Sequence, residues 1–349
     1  MIYIMLAASV SFLLVLTGTP VAIRVLRRKK YGQYIREDGP QAHFVKRGTP
    51  TMGGLVILAG AAVGYLISHL GATGGARFSA SGLLAMGTIF AMGLLGFVDD
   101  YLKVSKRRSL GLNKTAKILG QLVIAVAFAF TLGPTQARQE ISFIRPLGVA
   151  LGVLFVLWIF LIIASASNGV NLADGLDGLA CGSGAMVMGA YVIITFWQFR
   201  HACGTAQALG CYPARHSLDL AVVSASMLGA SAGFLWWNAA PAKIFMGDTG
   251  SLALGGAMGA LAILTNTQLL LIVLGGLYVV ELSSVVLQVV SYRIFGRRLF
   301  LMAPIHHHFE LLGWPEFTVI VRFWIIGALA IAFGLGLFYG EFITAGGTG

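Results

Sequence analysis

The chain is short of charge. Of its 349 residues only 11% are Asp, Glu, Lys or Arg, against 57% hydrophobic, whereas a soluble domain carries roughly 25% charged residues. With a mean hydropathy of +0.85, this excludes an ordinary water-soluble domain and leaves an all-α polytopic membrane protein. Thiols are scarcer still. Cys181, Cys203 and Cys211 are the three cysteines, and they offer no metal-type spacing, so a bound metal would need oxygen or imidazole donors. Acids are also few, 13 against 24 Lys and Arg, while glycine is abundant at 46 residues. Small residues let helices pack closely where lipid supplies no hydrophobic drive between them.

Apolar runs of about 20 residues count as spans. Ten such runs lie at 2–25, 52–70, 83–98, 118–132, 147–165, 179–199, 218–237, 251–264, 269–290 and 317–339. The third, fourth and eighth are short, so nine or eleven spans are the alternatives. On the ten-span frame every basic residue except Arg77, Arg138, Arg145, Arg200 and Arg215 falls on one side. The positive-inside rule makes that side cytoplasmic and puts both termini outside. The first run lacks a basic leader and meets Arg27-Arg-Lys-Lys30 at once, which reads as an uncleaved anchor rather than a signal peptide. The whole chain, 1–349, then forms one transmembrane unit. Its net charge of +11 sits beside membrane ends, where headgroups and topology account for it; nucleic acid is not an expected partner. Cys203 and Cys211 share an outer loop, where a disulfide is compatible with the compartment and two free thiols are the other outcome.

The polar residues recur as short motifs. Asn168-Gly-Val-Asn-Leu-Ala-Asp-Gly-Leu-Asp177 sets Asn168, Asn171, Asp174 and Asp177 among glycines, as a compact turn around a cation or polar ligand requires; a capped turn between helices is the plain alternative. Lys46-Arg-Gly-Thr-Pro-Thr-Met-Gly-Gly54, which includes Thr51, suits an anion cradle at a helix start, or else a basic juxtamembrane segment. Asp99 and Asp100 sit where a helix emerges from the membrane. Neighbours on a helix diverge by about 100°, so such a pair divides its labour between a ligand and a structural partner. The function would be cation binding or proton transfer; the alternative is pairing with Lys114 or Lys117. Asp248, in Gly247-Asp-Thr-Gly-Ser251, reads either as a helix cap or as a carboxylate beside hydroxyls and free amides for a phosphate with its metal. The outer segment 133–145 suits a small hairpin. Glu281 is an acid within a span, facing other helices or marking a break. His306, His307 and His308 could serve a transition metal, a phosphate or a proton.

These groups lie on one face of the membrane, whereas transporters place theirs near the midplane on broken helices. That favours an enzyme joining a cytosolic polar substrate to a membrane-embedded one. Carboxylates without thiolates favour Mg2+ and phosphoryl chemistry.

Lys46 to Gly54, Phe97-Val-Asp-Asp-Tyr-Leu-Lys103, Asn168 to Gly178, Phe245-Met-Gly-Asp-Thr-Gly-Ser251 and Ala303-Pro-Ile-His-His-His-Phe-Glu310 together resemble the polyprenyl-phosphate N-acetylhexosamine-1-phosphate transferases. The last motif resembles the branch that uses UDP-MurNAc-pentapeptide; sister enzymes take UDP-GlcNAc, and a glycan or lipid transporter is the rival class. The resemblance implies that UDP-MurNAc-pentapeptide and undecaprenyl phosphate, a membrane lipid, give lipid I and UMP with Mg2+. It implies a site on the cytoplasmic face of the bacterial inner membrane, at the first membrane step of peptidoglycan synthesis, and it is compatible with a homodimer. By resemblance Asp248 holds the metal, and Asp99 and Asp100 flank the lipid phosphate. Lys46, Thr51, Asn168, Asn171, Asp174, Gly175, Leu176, Asp177, Asn238 and Phe245 bind substrate, largely on its uridine-ribose side. Lys114, His306, His307 and His308 meet phosphate or sugar. The ninth helix, bent near Glu281, would offer a groove to the prenyl chain.

Overall fold

Ten apolar helices account for most of the chain. In this computed structural model residues 1–29, 32, 48–70, 78–106, 110–136, 139–203, 210–212 and 216–346 are described. The long helices are α1 (Ile2–Arg28), α2 (Gly54–Leu70), α3 (Ala80–Ser105), α4 (Lys114–Gln136), α5 (Leu154–Ala173), α6 (Leu179–Arg200), α7 (Ser217–Asn238), α8 (Gly247–Leu264), α10 (Gly276–Phe295) and α12 (Glu316–Thr344), with α9 (Leu270–Leu274) and α11 (Ile305–Leu311) as short pieces between them. Among the described residues nine helices are long and apolar enough to cross a membrane, and α2, at 17 residues, is the shorter apolar one. Each apolar run in the sequence thus meets a helix.

Most helices run past the apolar stretch that marks them, α3 to Ser105 among them, and the fifth and ninth runs differ in kind. The fifth loses its first residues to an antiparallel hairpin, β1 (Glu140–Ser142) with β2 (Pro146–Ala150), and α5 continues through Asn168 and Asn171 to Ala173. Only 174–178 forms a turn. The ninth run is interrupted at Gly275, between α9 and α10, and not near Glu281. Gly275 has no side chain to hold a helix together there, and Tyr278 and Leu271 pack around it.

Sequence also dictates which helix is central. The apolar window of α8 is 94% buried with a mean hydropathy of only 1.2, whereas that of α12 is 33% buried at 2.1. Lipid-facing helices must be greasy, but a helix enclosed by others needs small residues instead. Gly54 of α2 lies against the backbone of Thr249 and Gly250, and Gly96 of α3 against that of Asp248; a Cβ at either would land on main-chain atoms. Two helices thereby reach the N-terminus of α8 at backbone distance.

The antiparallel order gathers the C-terminal ends of α3, α5 and α7 with the N-terminal ends of α2, α4, α6, α8 and α12. At the opposite end, Tyr65, His69 and Ser79 enclose Asp219: Ser79 donates from N and Oγ at 2.7 Å each, and the Tyr65 hydroxyl at 3.1 Å. Cys203 and Cys211 are joined by a disulfide. Arg145 of the hairpin donates to the carbonyls of Gly210 and Cys211 and pairs with Glu341 of α12.

Candidate active site

The site is built on the start of α8. Gly53 and Gly54 donate to the carbonyls of Phe245 and Met246, both at 2.9 Å, and Phe245 donates back to Pro50 at 2.8 Å. The chain then turns through Gly247 at a φ of 71°, a conformation open to glycine. A Cβ there would meet the Asp100 carboxylate and, at 3.0 Å, the Thr51 hydroxyl. Sequence and site are tied together at this turn.

Asp99 and Asp100 divide their work as helical neighbours should. Asp100, 2% exposed, accepts from the backbone amides of Asp248 and Thr249 at 3.1 and 2.9 Å and from the Thr249 hydroxyl at 2.7 Å. It caps α8 from another helix. The amides expected to be free for a phosphate are therefore occupied, because a carboxylate on α3 satisfies the same positive helix end. Asp99 takes different partners. Its Oδ1 accepts from Leu112 N at 2.8 Å, and its Oδ2 lies 2.6 Å from Lys103 Nζ.

Asp248 completes the group. Lys117 donates to its Oδ2 at 2.6 Å; Asn171 donates to its Oδ1 at 2.9 Å, and Lys103 Nζ lies 3.0 Å from that same oxygen. Oxygens of Asp99, Asp100 and Asp248 all lie within 4.8 Å of one another. Three carboxylates held so closely repel, and Lys103 and Lys117 offset only part of that charge. Hard oxygen donors with residual negative charge are what Mg2+ requires; the residues present fit it.

The turn that follows α5 forms the second wall. Desolvation pushes the Asp174 carboxyl well above its usual range, the charges of Asp248 and Asp100 add to this, and the Gly247 amide and Lys103 oppose it. Asp177 accepts from Ala242 N at 2.8 Å and its own amide donates to Glu316 at 3.1 Å, so it fastens this turn to the loop before α8 and to α12. Asn238 donates to the Ile244 carbonyl within that loop, beside Phe245. Leu176 is buried with Leu179, Leu277 and Phe323 and anchors the turn. Gly175 is exposed beneath the Nε2 atoms of His306 and His307.

The three histidines have different partners. His306 Nδ1 meets Glu281 at 3.0 Å, His307 Nδ1 meets Glu310 at 2.6 Å, and His308 Nδ1 accepts from Leu301 N at 3.1 Å. Of the residues singled out by sequence, Lys114 stands exposed at the start of α4. Asn168 turns to α4, donating to Gln121 and to the Ala164 carbonyl. Lys46 lies outside the described residues. Lys103 stands three and four residues beyond the two acids, the one signal in the sequence for its place among them, and Lys117 reads from sequence only as an ion-pair alternative.

A family model described as Glycosyl transferase family 4 matches residues 82–266, a stretch holding Asp99, Asp100, Asn171, Asp174, Asp177 and Asp248. A phospho-N-acetylmuramoyl-pentapeptide-transferase signature matches residues 46–58. A relative named phospho-N-acetylmuramoyl-pentapeptide-transferase from Frankia casuarinae is 54% identical over 99% of each chain. One of the same name from Corynebacterium aurimucosum is 51% identical over 100% of this chain and 99% of its own, and one from Mycobacterium tuberculosis is 52% identical over 99% of both. With its carboxylates at the helix end that these similarities span, the chain belongs to the phospho-N-acetylmuramoyl-pentapeptide-transferase family, within glycosyl transferase family 4.

Proposed function

We propose that the chain transfers phospho-MurNAc-pentapeptide from UDP-MurNAc-pentapeptide to undecaprenyl phosphate, giving lipid I and UMP. The observation that carries this reading is the meeting of Asp99, Asp100 and Asp248 with two ammonium groups at one end of the helices, in a chain alike throughout its length to transferases of that name. The gathered end is the cytoplasmic face of the bacterial inner membrane. The segregation of basic residues supports this, as does a disulfide at the other end, since disulfides persist in oxidising compartments.

Mg2+, held by Asp248 with Asp99 beside it, would neutralise charge on the diphosphate. The residues do the rest. Lys103 and Lys117 attract the phosphates, and Asn171 orients Asp248. A phosphate monoester has a second pKa of about 6, so the lipid phosphate is already largely dianionic at neutral pH and needs little general-base help. An oxygen of it attacks the sugar-linked phosphorus directly, with Asp99 orienting it; the bond from that phosphorus to the UMP oxygen breaks, and its electron pair leaves with UMP. A phosphoryl-enzyme route would instead exchange labelled UMP with the nucleotide-sugar in the absence of lipid, and none is expected.

The test is UMP release by purified protein given undecaprenyl phosphate and either UDP-MurNAc-pentapeptide or UDP-GlcNAc, with Mg2+ or with EDTA. Release is expected only with the first donor and Mg2+. Release from UDP-GlcNAc would make the chain a sister transferase; no release from either would contradict the proposed reaction.

A further inference from the structure

Gln121 is a carboxamide at a place where α4 needs only an apolar side chain. The buried side of that helix runs through Gln121, Ala125, Phe128 and Leu132, while Ile118 and Leu119 are exposed. Gln121, 0% exposed, opens this stripe at the end from which Lys117 reaches Asp248. An apolar residue would pack there without the cost of taking an amide out of water.

The carboxamide engages α5 with both of its ends. Its Nε2 donates to Ser167 Oγ at 3.2 Å, and its Oε1 accepts from Asn168 Nδ2 at 3.1 Å. Each partner also has a bond within α5: Ser167 Oγ donates to the Ile163 carbonyl at 2.7 Å, and Asn168 Nδ2 to that of Ala164 at 2.8 Å. Gln121 therefore joins two helices whose own polar groups are already served.

One turn along each helix lies a residue that holds Asp248. Lys117, four before Gln121, donates to Asp248 Oδ2 at 2.6 Å; Asn171, three after Asn168, donates to Oδ1 at 2.9 Å. Residues at these spacings share a helix face, so tying Gln121 to Asn168 sets the rotation and height of both donors. The backbone of α5 is already fixed against α8, since a Cβ on Gly255 would land on Ser167 Cα. α4 is less enclosed, with 22% of its apolar window buried against 39% in α5.

We propose that Gln121 is a positioning residue that locks α4 in register with α5, so that Lys117 and Asn171 together hold the two oxygens of Asp248. Fixing register is the best-attested use of a buried polar group that adds little stability. The consequence for turnover rests on reading Asp248 and its partners as the reacting centre.

The test uses full-length protein in lipid nanodiscs. Gln121→Met keeps the length of the side chain and loses both hydrogen bonds. Because Ser167 and Asn168 retain partners within α5, the thermal midpoint should not fall. Lys117 should come loose. Under brief treatment with an amine-acetylating reagent, without substrate, acetylation of Lys117 relative to exposed Lys114 should rise about 3- to 10-fold, the scale of one hydrogen bond. kcat should fall about 10-fold or more, as small misplacements in an active site do. Gln121→Asn, one methylene too short to bridge, should behave likewise, and it carries the test if Gln121→Met does not fold. Adding Asn168→Gln returns that methylene from the other side and should bring both Lys117 reactivity and kcat back towards native. Native Lys117 reactivity or native kcat in the single variants, or a double variant no better than Gln121→Asn, overturns the proposal. Absence of UMP release by the native protein overturns the functional reading instead, and leaves acetylation to judge the register.

Discussion

Two adjacent aspartates of the same type do different things, and substitution should separate them. Asp100 satisfies two amides and a hydroxyl at the start of α8, so Asp100→Ala should lower thermal stability by about 1–2 kcal/mol, the worth of a helix cap, as well as activity. Asp99 touches a loop amide and Lys103, so Asp99→Asn should reduce turnover at an unchanged melting midpoint. Equal melting shifts for the two variants would contradict this division. The acids themselves were legible in the sequence because carboxylates are rare in so apolar a chain. Their ammonium partners were not. Lys114 and Lys117 are neighbours on one short stretch, and only the turn of α4 decides that Lys117 reaches Asp248 while Lys114 faces out. The pairing of Glu281 with His306 joins residues 25 apart, and no local spacing announces it.

At the level of helices, the site depends on how closely α2 and α3 approach α8. A methyl at Gly54 would collide with the backbone of Gly250, which cannot rotate away as a side chain would. Gly54→Ala should therefore destabilise the protein by roughly 1–3 kcal/mol, as overpacking does, and shift the Thr51 and Asp248 segments together; a melting midpoint equal to the native one would show that the approach is looser than described. Among the described residues hydropathy found each of the ten long helices but not where each of them ends. The fifth run seemed to stop near Ser165 because Ser167, Asn168 and Asn171 are polar. In a helix packed on other helices such residues find partners, here Gln121 and Asp248, and the helix runs on. The interruption at Gly275 lies inside an apolar run, so hydropathy passes over it, although the Gly275-Gly276 pair marks it in the sequence.

Across the whole molecule, the proposed orientation can be tested directly. The carboxylate cluster and the disulfide are at opposite ends of the helices, and the proposal puts the former in the cytoplasm on the strength of the positive-inside rule. Cys181 is buried, so labelling of intact cells has little background. After mild reduction, a membrane-impermeant maleimide should label Cys203 and Cys211 from outside, whereas Lys114→Cys should react only once the membrane is opened; the reverse pattern would invert the topology.

The most direct measurement is mass analysis of the lipid made by purified protein from UDP-MurNAc-pentapeptide and undecaprenyl phosphate with Mg2+, native against Asp248→Asn. The native protein should yield undecaprenyl-diphospho-MurNAc-pentapeptide and UMP in equal amounts. The variant, with the same thermal profile, should yield less by at least ~10²-fold, the scale of losing a principal electrostatic group in an active site. Undiminished product from Asp248→Asn, or a lipid carrying any other sugar, would contradict the account.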